Sequence, residues 1–250
     1  FLQGQVTFTV TAPENTTVTM VVDADGEEIT PDTDNKYTAD LDADITVTLT
    51  AADGFYFDKD GAKTLDVGTK AAKDNVTITL ENPLVPAPVK KGGMFFITLQ
   101  EAINAEGDDD VVVLADLTLT APVTATKGFV LDLNGKTVTG NWTTSWATPG
   151  AGRDYIFELG AYTAVVSNGT VASTANNIGG FHTVGGSLTF GDNTLVDTAW
   201  RAVGVYNGAT LNVGADAELK TAGEDPTIMI IANGTECTVN VAGKVSNTFA

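Results

Sequence analysis

The sequence predicts an all-β protein, with a small N-terminal β-sandwich followed by a helix-capped parallel β-helix. Three observations predict it. Short apolar–hydroxyl alternations crowd the first 80 or so residues. A single capped helix then precedes a new run of strands. From Val111 onward, glycines and apolar residues recur at a spacing of about two dozen.

In the first region Gln5–Thr11, Thr17–Val22, Ile45–Thr50 and Val76–Leu80 each alternate apolar residues with threonine. A period of two with threonine outward describes half-buried antiparallel strands. The turn clusters Pro13-Glu14-Asn15, Asp23-Ala24-Asp25-Gly26, Asp53-Gly54 and Asp60-Gly61 separate them. The order of strand, hairpin at Asp25-Gly26, strand, aromatic turn Gly54-Phe55-Tyr56-Phe57 and closing strand resembles the PEGA and transthyretin-like modules of bacterial surface proteins. That resemblance spans about 75 residues and implies a non-catalytic spacer or binding module, residues 1–83.

Residues 84–93 read as a linker, stiffened by Pro83, Pro86 and Pro88 and released by Gly92-Gly93. Residues 94–250 are the expected β-helix. Thr98-Leu99-Gln100-Glu101 matches a capping box, Leu99, Ala102 and Ile103 give an apolar face, and Gly107 is placed to stop the helix. A lone amphipathic helix of this kind covers the open strand edges of a first coil.

The repeat follows. Gly135, Gly160, Gly185, Gly208 and Gly234 are spaced by 25, 25, 23 and 26 residues. Three positions after them stand Val138, Thr163, Leu188, Leu211 and Cys237; five after the last four stand Val165, Phe190, Val213 and Val239. A further column holds Val171, Leu195, Leu219 and Val245. Stacked coils bury such columns continuously, which one coil alone cannot do. Thr163 breaks its column, so the register there is expected to slip by one. Cys237 reads as a core residue in a leucine position. The competing reading is a Greek-key sandwich with accidental glycine spacing. Leu131-Asp132-Leu133-Asn134-Gly135-Lys136-Thr137 resembles a coil of the pectate-lyase-like right-handed parallel β-helices found in bacterial surface proteins. This similarity covers about 155 residues and implies a fold shared by lyases, hydrolases, phage spikes and adhesins.

Charge narrows the function classes. With 32 acidic against 13 basic residues and a net charge of −19, nucleic acid is an unfavourable partner, and no apolar run approaches the roughly 18 residues of a membrane-spanning helix. High threonine, asparagine and aspartate with few arginines points to an extracellular, bacterial cell-surface location. The sequence opens without a basic leader, so a signal peptide is expected to have been removed or the chain to be a fragment. Only one histidine and one cysteine occur, which leaves little for acid–base catalysis and no disulfide.

The expected role is therefore a non-enzymatic surface or adhesin-type module, structural or glycan-binding, without a catalytic residue or an obligatory cofactor. The alternative is a polysaccharide lyase or glycoside hydrolase, against which stands the absence of either enzyme's motif. For a glycan or a host or cell-surface protein, the candidate binding residues are Trp142, Trp146, Arg153, Asp154, His182, Asp197, Trp200 and Arg201. Exposed aromatics beside arginine and aspartate suit sugar stacking and hydrogen bonding; the simpler reading is that the tryptophans cover a solenoid corner. Asp23, Asp25, Asp32 and Asp34 form the weak calcium candidates, though no complete calcium-loop motif is present. The threonine pairs of the early coils do not recur, which argues against an ice-binding face. No capping helix follows Val245, so the last coil is expected either to continue or to self-associate.

Overall fold

The computed structural model describes residues 4–142, 154–175 and 177–249. It divides into two compact units, Phe1–Ala87 and Pro88–Ala250.

In the first unit, two three-stranded sheets share one core. One orders Tyr37–Asp40, Gln5–Thr11 and Asn75–Thr77; the other orders Thr16–Val22, Asp44–Ala51 and Thr64–Ala71. Along Asp44–Ala51 burial alternates residue by residue, as a period-two strand demands, and Ile45, Val47 and Leu49 are fully buried against Phe8, Tyr37 and Val76. Phe8 and Tyr37 stack with ring centres 5.7 Å apart. The pairing is not wholly antiparallel. Gln5–Thr11 runs antiparallel to Tyr37–Asp40 but parallel to Asn75–Thr77.

The boundary between the two units falls inside the segment expected as a linker, 84–93, and the residues on either side of it join strands of their own unit. Val85–Pro86 pairs antiparallel with Phe55–Tyr56 of the aromatic turn, and the Ala87 amide donates to the Gly54 carbonyl at 2.8 Å. Val89–Lys91 pairs antiparallel with Met94–Phe96 and with Val111–Val113, beginning the second unit. Pro86 is tolerated because Val85–Pro86 belongs to a two-stranded pairing with a free edge, and Pro88 lies just before Val89–Lys91.

The second unit is a parallel β-solenoid of about five turns, built from three sheets. The first sheet carries Val111–Val113, Phe129–Asp132, Thr163–Ser167, Ser187–Phe190, Thr210–Val213 and Thr238–Val241 in register. The second carries Leu117–Leu119, Thr137–Gly140, Gly169–Ser173, Thr194–Thr198, Glu218–Thr221 and Lys244–Asn247. The third carries Val123–Thr124, Asp154–Gly160, Ile178–Val184, Val203–Tyr206 and Ile228–Ile231. The expected helix occupies Leu99–Asn104; Thr98 caps it by accepting from the Glu101 amide at 3.2 Å, and Leu99, Ala102 and Ile103 are buried. Its C-terminal carbonyl at Ala105 accepts from the ammonium groups of Lys91 and Lys127.

The apolar columns are real, but five positions (Val138, Val165, Leu195, Cys237 and Val239) differ from the sequence reading. Leu188 stands opposite Ala164 and Leu211, and Phe190 opposite Val166 and Val213. Val165 therefore faces outward, beside Thr189. Val138 belongs to the second sheet, in the column Leu117, Val138, Val171, Val196, Leu219, Val245; Leu195 lies beside that column rather than in it. Cys237 precedes the strand whose Val239 meets Leu211, and is half-buried with Sγ 3.7 Å from the Val205 carbonyl. The count from the glycines fails because the corners differ in length: the inward residue of this column lies four positions after Gly160, three after Gly185 and Gly208, and five after Gly234. A difference of one residue in a corner exchanges the inward and outward positions counted from its glycine.

Two different corners also explain the glycine series. Gly160, Gly185, Gly208 and Gly234 all adopt positive φ where the third sheet turns into the first. Gly135 sits at the corner from first to second sheet, so its spacing matches by accident. That corner is instead marked by asparagine: Asn134, Asn168 and Asn193 are left-handed, with the Gly135 amide donating to the Asn168 carbonyl and the Gly169 amide to the Asn193 carbonyl. Asp132 points outward, as expected, and accepts from the Asn134 amide at 2.8 Å and Asn168 Nδ2 at 3.2 Å.

Candidate functional site

Polar and aromatic side chains gather along the third sheet and at the corner that leads into it from the second. Core residues Phe157, Phe181 and Val203 are Cα partners in successive coils, so Glu158, His182 and Gly204 beside them form the outward row. His182 Nδ1 lies 2.6 Å from Glu158 Oε2, and because a carboxylate only accepts, the ring nitrogen donates. Tyr155 stacks on the His182 ring at 5.0 Å, and Tyr206 meets that ring edge-on at 4.6 Å. Trp200 leans on Tyr155 at 5.2 Å.

Glycines make this layer feasible. A side chain at Gly204 would place its first carbon 2.6 Å from the Tyr155 hydroxyl, and one at Gly179 would meet the Tyr155 ring at 2.7 Å. Tyr155 thus rests over a floor with no side chains.

The corner is locked by an ion pair. Arg201 Nη2 donates to Asp225 Oδ1 at 2.6 Å while Trp200 Nε1 donates to Asp225 Oδ2 at 2.7 Å, so one carboxylate holds two consecutive residues. The guanidinium stands 4.4 Å from the Trp200 ring centre. Burial alone would lower the arginine pKa, but hydrogen bonds and charge from Asp225 and Tyr155 outweigh it, and the net direction is upward. Two buried atoms in the cluster, His182 Nε2 and Arg201 Nε, have no hydrogen-bond partner among the described residues.

The chain matches no protein-family model, no curated protein and no solved structure. Its function is therefore argued from its own residues.

Of the expected binding residues, His182, Trp200 and Arg201 come together. Trp142 and Asp154 form a pair of their own, with Trp142 Nε1 donating to Asp154 Oδ2 at 2.8 Å while the indole packs against the solenoid core. Asp197 stands apart from the third sheet, on the second, where it pairs with Lys220 at 3.0 Å. Trp146 and Arg153 lie outside the described residues. Trp200 is only 4% exposed; it covers the corner and offers no open stacking face. Sequence reasoning missed Tyr155, Glu158, Tyr206 and Asp225. The signal for Glu158 was available, since it lies one coil before His182 in the true register.

The calcium candidates are turn residues. Asp23 Oδ1 accepts from the amides of Asp25 and Glu27, and Asp32 Oδ1 from those of Asp34 and Lys36. Asp58 does the same with Asp60 and Ala62. This is how aspartate closes a loop without a cation. Among the described residues no three acidic, histidine or cysteine side chains gather around a common point.

Burial pushes the Tyr155 phenol well above its ordinary value of 10.0, with smaller contributions from Tyr206. The sign follows from linkage. Below pH 10 both folded and unfolded chains keep the proton; above it only the unfolded chain releases it, so stability falls as pH rises. Tyr155→Phe is expected to flatten the loss of solenoid stability above pH ~10, measured by urea melts at several alkaline pH values. Parallel curves for the two proteins would contradict the assignment.

Proposed function

We propose that this chain is a non-enzymatic extracellular module of the bacterial cell-surface or adhesin type, in which the solenoid acts as a structural stalk. The observation that carries the reading is the state of the third-sheet cluster. Its arginine, aspartate and indole are spent on one another, and Tyr155 is 3% exposed. Groups bound to each other in this way rigidify a coil rather than present chemistry to a substrate. The net charge of −19 supports an extracellular setting, and the pectate-lyase-like and PEGA-like likenesses noted in the sequence fit the same role.

A glycan-binding reading has one observation in its favour. His182 and Tyr206 are half-exposed on the outward side of the same sheet, with Glu158 beside them, an arrangement able to stack on a sugar and accept its hydroxyls. A glycan array of the 250-residue chain, with His182→Ala and Trp142→Ala as comparisons, tests both readings. The stalk reading predicts no glycan signal that the substitutions alter. A signal abolished by His182→Ala would establish glycan binding instead, and release of unsaturated sugar from an acidic polysaccharide would overturn the non-enzymatic proposal.

A further inference from the structure

Four Asn-Gly pairs occur in the chain, Asn134-Gly135, Asn168-Gly169, Asn207-Gly208 and Asn233-Gly234, and all four lie at corners of the solenoid. Each asparagine is left-handed and exposed, so neither conformation nor access separates them. Hydrogen bonding does. At the first pair the Gly135 amide donates to the Asn168 carbonyl at 2.6 Å, and Asn134 Nδ2 to the Val113 carbonyl at 3.1 Å. At the second the Gly169 amide donates to the Asn193 carbonyl at 2.9 Å, and Asn168 Nδ2 to Asp132 Oδ1 at 3.2 Å. Both pairs are thus tied to neighbouring coils. Among the described residues, the Gly208 and Gly234 amides and the side chains of Asn207 and Asn233 have no such partner. The last pair is also the most open. Residues 232–236 are exposed throughout, and a side chain at Gly234 would meet nothing within 4 Å, whereas one at Gly208 would meet Thr235 Cγ2 at 2.7 Å.

We infer that Asn233 is a site of self-modification, at which the chain's own backbone converts the side-chain amide to an acid. The Gly234 nitrogen gives its proton to water or hydroxide and attacks Asn233 Cγ. The new N–Cγ bond closes a five-membered imide, the Cγ–Nδ2 bond breaks, and Nδ2 leaves as ammonia. Water, the only co-reactant, then opens the ring at either carbonyl to give aspartate or isoaspartate. Glycine favours closure because it carries no Cβ beside the attacking nitrogen. A left-handed asparagine holds that nitrogen away from its own Cγ, so the Cα–C bond must rotate before the ring forms. At Asn134 and Asn168 that rotation breaks bonds to adjacent coils. At Asn233 it breaks the turn bond from the Thr235 amide to the Ala232 carbonyl, 2.7 Å long, and no bond to another coil. Isoaspartate lengthens the backbone by a methylene, at a corner whose length sets how Val239 meets Leu211. The inference is independent of the stalk reading, since it concerns backbone chemistry alone.

The test incubates the folded 250-residue chain at mildly alkaline pH and follows each Asn-Gly peptide by mass spectrometry, with hydroxylamine to trap the imide. Asn233 is expected to convert first and Asn207 next. Asn134 and Asn168 are expected to be at least about tenfold slower, the effect of the bonds each must break. In urea all four are expected to convert at similar rates, because the reacting pair is the same each time. Any other asparagine keeping pace with Asn233 in the folded chain overturns the inference. So does an Asn233 that stays intact in the folded chain yet converts in urea.

Discussion

Replacing Phe181 by alanine is expected to destabilise the solenoid by about 3–5 kcal/mol, the cost of emptying a large aromatic site in a closed core. Phe181 is fully buried, stacks on Phe157 with ring centres 4.6 Å apart, and meets Phe190 edge-on at 5.1 Å. It touches the coil before its own and also another sheet, so no small movement of one neighbour refills the space. Each coil depends on its neighbours for burial, so the loss falls at the middle of the stack. All three tryptophans, Trp142, Trp146 and Trp200, lie in this unit, so their fluorescence follows its unfolding separately from the first unit. Phe181→Leu, which keeps most of the volume, is expected to cost less than half as much. A near-zero effect of the alanine substitution would mean that the ring is not enclosed by consecutive coils.

The second large effect is expected at the corner ion pair. Asp225→Ala removes the partner of an arginine whose side chain is 7% exposed, leaving a buried charge. Such losses cost about 3–5 kcal/mol. Asp225 itself is 28% exposed, so solvent relieves part of the penalty and about 3 kcal/mol is the expected value. The double change Arg201→Met with Asp225→Leu is expected to recover much of that loss, because the uncompensated charge, rather than the attraction itself, carries the cost. Urea melts of the three proteins measure it. A double variant less stable than Asp225→Ala would show that the pair contributes net attraction beyond desolvation.

How much of this was legible in the sequence depends on which physical signal each feature leaves. The alternation in Asp44–Ala51 and the capping threonine before Leu99 leave local signals, and both elements were placed from sequence. The coil repeat was legible because stacking forces like residues onto like, at Leu188 and Leu211 or Val171 and Leu219. The one-residue slip was legible at Thr163, a polar break in an apolar column, and Ala164 takes that place beside Leu188; the unequal corner lengths after Gly160 and Gly234 leave no composition of their own, so Val165 and Val239 were assigned to the wrong columns. Asn168 and Asn193 mark the second corner of each coil because asparagine also accepts a left-handed φ, whereas Gly135 fits the glycine series of the other corner by accident. The cluster was half-read for a similar reason. His182, Trp200 and Arg201 were chosen by type, whereas Tyr155 and Asp225 take part only through the packing of successive coils. Prolines suggested a linker at 84–93, and the pairing of Val85–Pro86 and Val89–Lys91 is set by distant partners that no local pattern announces.

Inter-strand nuclear Overhauser contacts in the first sheet test the stacking of coils most directly. Parallel coils predict amide-to-α contacts at constant offset, joining Thr163 with Ser187 through to Val166 with Phe190, and again Ser187 with Thr210 through to Phe190 with Val213. Contacts joining Thr163 with Phe190 and Val166 with Ser187 would mark a hairpin, and the solenoid with its third-sheet cluster would be contradicted.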